Sequence, residues 1–135
     1  MERKAGLLSE NTYVEYANKC QKVVSDLRSV SGDYNRLDLG FSVIGYGAAA
    51  KGMTLLNYSK IKLDYIIDDN SLKQGKYTPG SNIPIVSSDI LKDIKNGILF
   101  IPLAWNFYDE IRERIKQKRS NEWDLFCRYF PKVEI

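Results

Sequence analysis

Gly45-Tyr46-Gly47-Ala48-Ala49-Ala50 fits the G-x-G-x-x-G/A spacing with which a chain cradles phosphate. Gly45 permits a tight turn, Gly47 lets backbone approach an anion closely, and the small Ala50 lets a following helix sit near the preceding strand. The start of that helix offers free N–H groups and a partial positive charge. Lys51 adds a full charge, and Gly52 follows within the same turn of chain. The same glycines also serve plain strand–helix packing, and the fingerprint alone leaves both readings open. Downstream, Asp68 stands where a dinucleotide fold carries the acid that contacts ribose. "DDNS" (Asp68 to Ser71) is equally good turn or capping chemistry, and Asp69 is the weaker ribose candidate. Lys73, Gln74, Gly75 and Lys76 form a short basic stretch whose lysines suit a diphosphate as point charges, or an ordinary solvated loop. Trp105 and Asn106 pair a stacking surface with an amide donor and acceptor, which suits base reading; a Trp anchoring a helix start suits the core equally.

The reactive groups around this cradle are few. The chain has 135 residues and no histidine, which excludes histidine-based triads, relays and metal ligands. Its cysteines, Cys20 and Cys127, form no C-x-x-C pair, so no zinc site is expected. Free thiols suit a reducing cytoplasm. Asp109 and Glu110 are neighbours on a helix and point about 100° apart, so they make no general acid/base pair. No catalytic residue is assigned. A net charge of +3, with lysine and arginine interspersed among acids, argues against nucleic acid as partner. The basic run "RERIKQKR" (Arg112 to Arg119) reads as a solvated helix face. No apolar run reaches the roughly 20 residues of a membrane span, and the N-terminus has no apolar signal core. A cytoplasmic protein without membrane contact is expected.

The elements that must position these residues follow from periodicity. Residues 10–30 carry apolar side chains at spacings of three and four and predict a leading helix, ended by a turn at "SGDYN" (Ser31 to Asn35). A strand at 41–44, the glycine turn, a helix at 48–58 and a strand at 63–67 form a right-handed crossover unit. A long polar connection, 70–84, follows; loops of this length inside a compact domain are often functional. Ser87 or Ser88 caps a short helix ending near Asn96, then come a strand at 98–101, an amphipathic helix with Phe107, Ile111 and Ile115 on one face, and a final strand within "WDLFCRYF". The alternation predicts an α/β fold: a small Rossmann-like, three-layer domain with a mostly parallel sheet of three or four strands and a leading N-terminal helix. The expected division is residues 1–35 as helix and linker and 36–135 as the nucleotide-binding unit, in one domain overall. The glycine turn, the Asp68 loop and the turn after Ile101 should converge beyond the carboxyl ends of the strands.

Three ordered strings, "GYGAAAKGMTLLNY", "IIDDNSLKQGKYTPGSNIPI" and "LAWNFYDEI", resemble the C-terminal domain of bacterial SAM-dependent C-methyltransferases of the deoxysugar 3-C-methyltransferase type. The resemblance runs from about Thr12 to near the end of the chain. It matches at Gly45, Tyr46, Gly47, Ala48, Ala50, Lys51 and Gly52, at Lys73, Gln74, Gly75, Pro79, Gly80, Ile83 and Pro84, and at Trp105, Asn106, Glu110 and Ile111. It departs at Ala49, where the family often has Pro, and at Met53, where it often has Asn. The resemblance implies a three-part enzyme: a zinc-binding N-terminal region, a central domain that binds S-adenosylmethionine, and this domain, which helps to hold a nucleotide-sugar substrate such as a dTDP-sugar. It implies that the methyl donor and the reacting groups belong to the other parts, in the same or a partner chain, and that this chain binds no cofactor itself. Two other readings fit the residues alone: a module for an NAD- or CoA-type cofactor, and a structural docking domain with a vestigial pocket.

Overall fold

The structure is a computed structural model that describes residues 2–35, 40–130 and 132–135. Eight helices and strands are named here: α1 (Glu2–Asn35), β1 (Ser42–Tyr46), α2 (Ala50–Ser59), β2 (Tyr65–Ile67), β3 (Ile85–Val86), β4 (Ile98–Pro102), α3 (Tyr108–Lys118) and β5 (Leu125–Phe126). The strands form one sheet in the order β3-β2-β1-β4-β5, and every pairing is parallel. The sheet therefore has five strands, more than the three or four expected. The extra pairings are two residues long, Ile66↔Ile85 and Ile67↔Val86 on one edge and Leu99↔Leu125 and Phe100↔Phe126 on the other. Pieces this short carry little periodicity. The expectation of a small Rossmann-like α/β domain is met. Among the described residues no helix is long and apolar enough to cross a membrane.

The central strands are buried on both faces, so they read as continuous apolar runs. Val43, Ile44, Ile98, Leu99, Phe100 and Ile101 are inaccessible to solvent. Alternation divides them between two clusters. Val43, Leu99 and Ile101 face Leu56 of α2 and Val23 and Leu27 of α1, while Ile44, Tyr46, Ile98 and Phe100 face Ile111 and Ile115 of α3. Three layers result, and α1 shares the α2 side.

Other expectations require correction. The turn cluster Ser31 to Asn35 is helical: α1 runs through Asn35. The Ser31 hydroxyl donates back to the Arg28 carbonyl (3.2 Å) and is buried, and Tyr34 meets Phe41 edge-on with ring centroids 5.1 Å apart. Tertiary contacts override the turn propensity of Ser, Gly, Asp and Asn. The basic run of residues 112–119 is not wholly a solvated face. Arg119 is almost buried, with 7% of its side chain exposed, and forks onto Asp124 through Nε (2.7 Å) and Nη2 (3.0 Å). Its remaining donors go to the carbonyls of Leu91, Ile94 and Asn96. This arginine closes the chain end of α3 onto the segment preceding β4, and Asp124 also accepts from the Ile98 N–H (3.1 Å).

The long connection of residues 70–84 is folded back on itself. Thr78 N–H donates to Ile83 O (2.9 Å), Gly75 N–H to Ile85 O (2.9 Å) and Ile85 N–H to Lys76 O (2.8 Å), and Tyr77 bridges Pro84 in antiparallel fashion. Ser87 caps the 3-10 turn Ser88–Lys92 by accepting from Asp89 N–H (3.2 Å). That turn is shorter than the helix expected to reach Asn96. The boundary expected at residues 35/36 adjoins residues 36–39, which lie outside the described residues.

Candidate functional site

The register of β1 places the site. Tyr46 pairs with Ile67 of β2 and with Pro102 of β4, so Gly47, Asp68 and Leu103 leave the sheet at one level. The order 3-2-1-4-5 makes the β1/β4 gap the switch point, where chains leave to opposite faces: α2 after β1, α3 after β4.

The glycines do different work. Gly47 has φ +95, in the left-handed region, and a Cβ there would meet nothing within 4 Å. It turns the chain and leaves open space beside the backbone. Gly52 lies against the sheet instead: a Cβ there would stand 2.8 Å from Leu103 Cβ. Gly45 is likewise crowded by Leu63 and Leu103. So Gly47 faces open space, while Gly45 and, beyond the fingerprint, Gly52 let α2 and its neighbours approach β1 closely.

A network then holds the turn. Gly47 N–H donates to Ile67 O (2.7 Å), and Leu103 N–H donates to Tyr46 O (2.9 Å). Asp68 Oδ2 accepts from Ala48 N–H (2.7 Å), and its Oδ1 accepts from Asn70 N–H (2.8 Å). Lys73 Nζ donates to Ala48 O (2.9 Å) and stands 3.9 Å from Asp68 Oδ2. Gln74 Nε2 donates to Asp68 O (2.8 Å). Six of the residues singled out in the sequence, Tyr46, Gly47, Ala48, Asp68, Lys73 and Gln74, thus lie in one connected patch. Gly75 sits behind it, paired to β3 through Ile85. The helix start carries no side-chain cap: Ala49 is the N-cap of α2 and has no hydroxyl or amide to offer. The side chain of Lys51 lies outside the described residues.

On the outer rim of the patch, sequence reasoning missed Arg114. Tyr46 Oη donates to Asp69 Oδ2 (2.7 Å), and Arg114 Nη1 of α3 donates to the same oxygen (3.0 Å). Burial, then the Asp69 hydrogen bond, pushes the Tyr46 phenol up to about 12, so it stays protonated at neutral pH. Asp69, the weaker candidate of the acid pair, is therefore also linked to the turn, through the Tyr46 side chain. Arg114 was submerged in the basic run. Its signal in the sequence was its place one residue before the apolar Ile115, but spacing alone gave no partner.

Trp105 and Asn106 stand apart. Trp105 lies with its ring 4.5 Å from that of Phe130, tilted by 41°, and Asn106 is exposed. Trp105 lines a cavity of about 530 Å3 with Tyr16 and Cys20 of α1, Tyr58 of α2, and Tyr129 and Phe130. Among the described residues the Trp105 side chain makes no hydrogen bond to the glycine-turn network; its backbone meets the Tyr129 hydroxyl, which donates to Leu103 O.

Comparison with known proteins fits this geometry. The family model for the C-methyltransferase C-terminal domain matches residues 1–129. A curated relative, the C-methyltransferase NovU of Streptomyces niveus, is 33% identical over 123 residues. That alignment takes in 89% of this chain but only 29% of the relative's length. By the extent of the family match, the chain belongs to the C-methyltransferase C-terminal domain family.

Proposed function

We propose that this domain holds the nucleotide-sugar substrate, of the dTDP-sugar kind, for a SAM-dependent C-methyltransferase. The observation that carries the reading is the open backbone at Gly47, beside the uncapped start of α2 and within reach of Lys73. Backbone N–H groups at a helix start and a nearby ammonium are the elements that bind a diphosphate. Gly45, Tyr46, Gly47, Ala48, Lys51 and Gly52 form the cradle; Lys73, Gln74 and Gly75 flank it; Trp105 and Asn106 are the base-side candidates.

S-adenosylmethionine would carry the methyl group in the whole enzyme. The fit of this chain to an adenosine-type cofactor is poor. Such a fold reads the ribose hydroxyls with an acid at the end of the second strand. Here both oxygens of Asp68 are engaged by backbone N–H groups of this chain. In this reading the cofactor belongs to another domain, in the same or a partner chain, and Asp68, with 13% of its side chain exposed, shapes the nucleotide site from behind.

The test is titration of the protein with thymidine diphosphate, NADH, coenzyme A and S-adenosylmethionine, read by amide NMR shifts. Shifts at residues 45–52 and 73–75 with thymidine diphosphate, and none there with the other three, are expected. Shifts there with NADH or coenzyme A but not with thymidine diphosphate would replace the reading with a cofactor module.

A specific observation also favours a docking role for α1. Tyr13 and Tyr16 are 72% and 57% exposed, continuing the stripe that Val23, Val24 and Leu27 bury further along. An apolar stripe on a helix favours burial against a neighbour. In this reading α1 carries the domain on the rest of the methyltransferase. Tyr13→Ser with Tyr16→Ser should weaken association with that part and leave thymidine diphosphate binding unchanged; unaltered association rejects it.

A further inference from the structure

Three arginines of the second half of the chain pair with carboxylates, and their surroundings differ. Arg119–Asp124 has only 7% and 6% of its side chains exposed and is bound to three carbonyls besides. It is a structural clamp. Arg128–Asp109 lies beside β5, with the Arg128 guanidinium 4.4 Å from the Tyr108 ring centroid. Arg114–Asp69 differs from both. It is half-exposed, at 52% and 43%, and it is fastened through Tyr46 to the glycine turn.

The contact itself is economical. Arg114 meets Asp69 through Nη1, at 3.0 Å on a single carboxylate oxygen that also accepts from Tyr46. A guanidinium offers five donors in a fork that matches two oxygens of a phosphate. An exposed, single-point ion pair contributes little stability. A forked contact with phosphate is stronger and geometrically selective. Lys73 reaches the turn directly, through Ala48 O, whereas Arg114 of α3 is linked to it through Asp69 and the Tyr46 phenol.

We infer that Arg114 reads the diphosphate at the glycine turn, and that Asp69 holds the guanidinium there until a phosphate exchanges for the carboxylate. The inference rests on the nucleotide-sugar reading proposed above. Asp69 acts as a competitor for Arg114, so removal of its charge strengthens binding. Removal of Arg114 weakens it. A structural brace has no such opposition of signs, because loss of either member loosens the same contact.

The experiment is calorimetric titration of the full protein with thymidine diphosphate, with thymidine as the phosphate-free control, for the wild type, Arg114→Gln, Arg114→Lys and Asp69→Asn. Arg114→Gln should weaken thymidine diphosphate binding by about tenfold, Arg114→Lys by less, and Asp69→Asn should tighten it by about threefold, while thymidine responds to none of them. Circular dichroism checks that each variant is folded; if Arg114→Gln is not, Arg114→Lys and Asp69→Asn carry the same opposition of signs. Failure of the wild type to bind thymidine diphosphate would overturn the underlying reading and this inference with it. Wild-type binding that Arg114→Gln leaves unchanged, or that Asp69→Asn weakens as Arg114→Gln does, overturns this inference alone.

Discussion

The carboxylate of Asp68, at the end of β2, accepts the Ala48 N–H across 2.7 Å, inside the turn that ends β1. An anion at a turn rich in N–H groups is what the glycine fingerprint provides for, and here the protein supplies one of its own. The opposite oxygen takes Asn70 N–H, so one side chain fixes the turn after β1 and the turn after β2 together.

Loss of this carboxylate should therefore destabilise the fold before it affects any ligand. Asp68→Ala leaves Ala48 N–H without its acceptor in a nearly buried position and should cost about 1–3 kcal/mol. Asp68→Asn keeps an acceptor oxygen and should cost less. Urea denaturation at neutral pH measures both. A midpoint for Asp68→Ala equal to that of the wild type would show that the bond contributes nothing.

The second prediction separates the glycines. Gly52→Ala puts a methyl group 2.8 Å from Leu103 Cβ, an atom fixed to the backbone, so something must shift; the cost should be about 1–3 kcal/mol. Gly47→Ala meets no neighbour, and its cost, also about 1–3 kcal/mol, comes from φ +95. The two similar losses have different causes, and a second substitution distinguishes them. Leu103→Ala removes bulk beyond Cβ and lets the neighbourhood relax. Combined with Gly52→Ala it should cost less than the separate losses added, by at least about 0.5 kcal/mol. Combined with Gly47→Ala it should be additive. Additivity in both pairs would remove the Leu103 atoms beyond Cβ as the cause and leave the contact with Cβ, which alanine keeps.

The alternation of elements was legible because the central strands are buried on both faces and written as unbroken apolar runs, as in "GILFIPL" around β4. β3 and β5, two residues each, were not, since their pairing depends on neighbours distant in sequence. The glycine turn was legible from spacing, and parallel register brings Asp68, Lys73 and Gln74 to it. Arg114 and Arg119 show the limit. They lie five residues apart in one basic run, yet one is half-exposed on Asp69 and the other nearly buried on Asp124. Charge gives no sign of which arginine is buried; only the packing of α3 on the sheet decides it. Ser31 to Asn35 failed for a related reason, because local turn propensity was outweighed by contacts of α1 with the core.

The last prediction concerns alkaline pH. Burial raises Tyr46 and Tyr129 from 10.0 to about 12, aided at Tyr46 by the Asp69 hydrogen bond, and raises Cys127 from 9.0 to about 12. Each group is neutral when protonated, and the folded chain holds the proton more tightly than the unfolded one. Their contribution is thus fully present below pH 9, and is lost as pH rises from 9–10 through about 12. The urea midpoint should change little between pH 7 and 8.5 and fall above pH 10. Tyr46→Phe removes one of the three groups, and its midpoint should fall less steeply with pH than that of the wild type, even though it starts lower for want of the bond to Asp69. Tyr129→Phe should flatten the curve likewise, after an initial loss from the hydrogen bond to Leu103 O. Slopes identical to the wild type in both variants would show that these phenols titrate alike in the folded and unfolded chains.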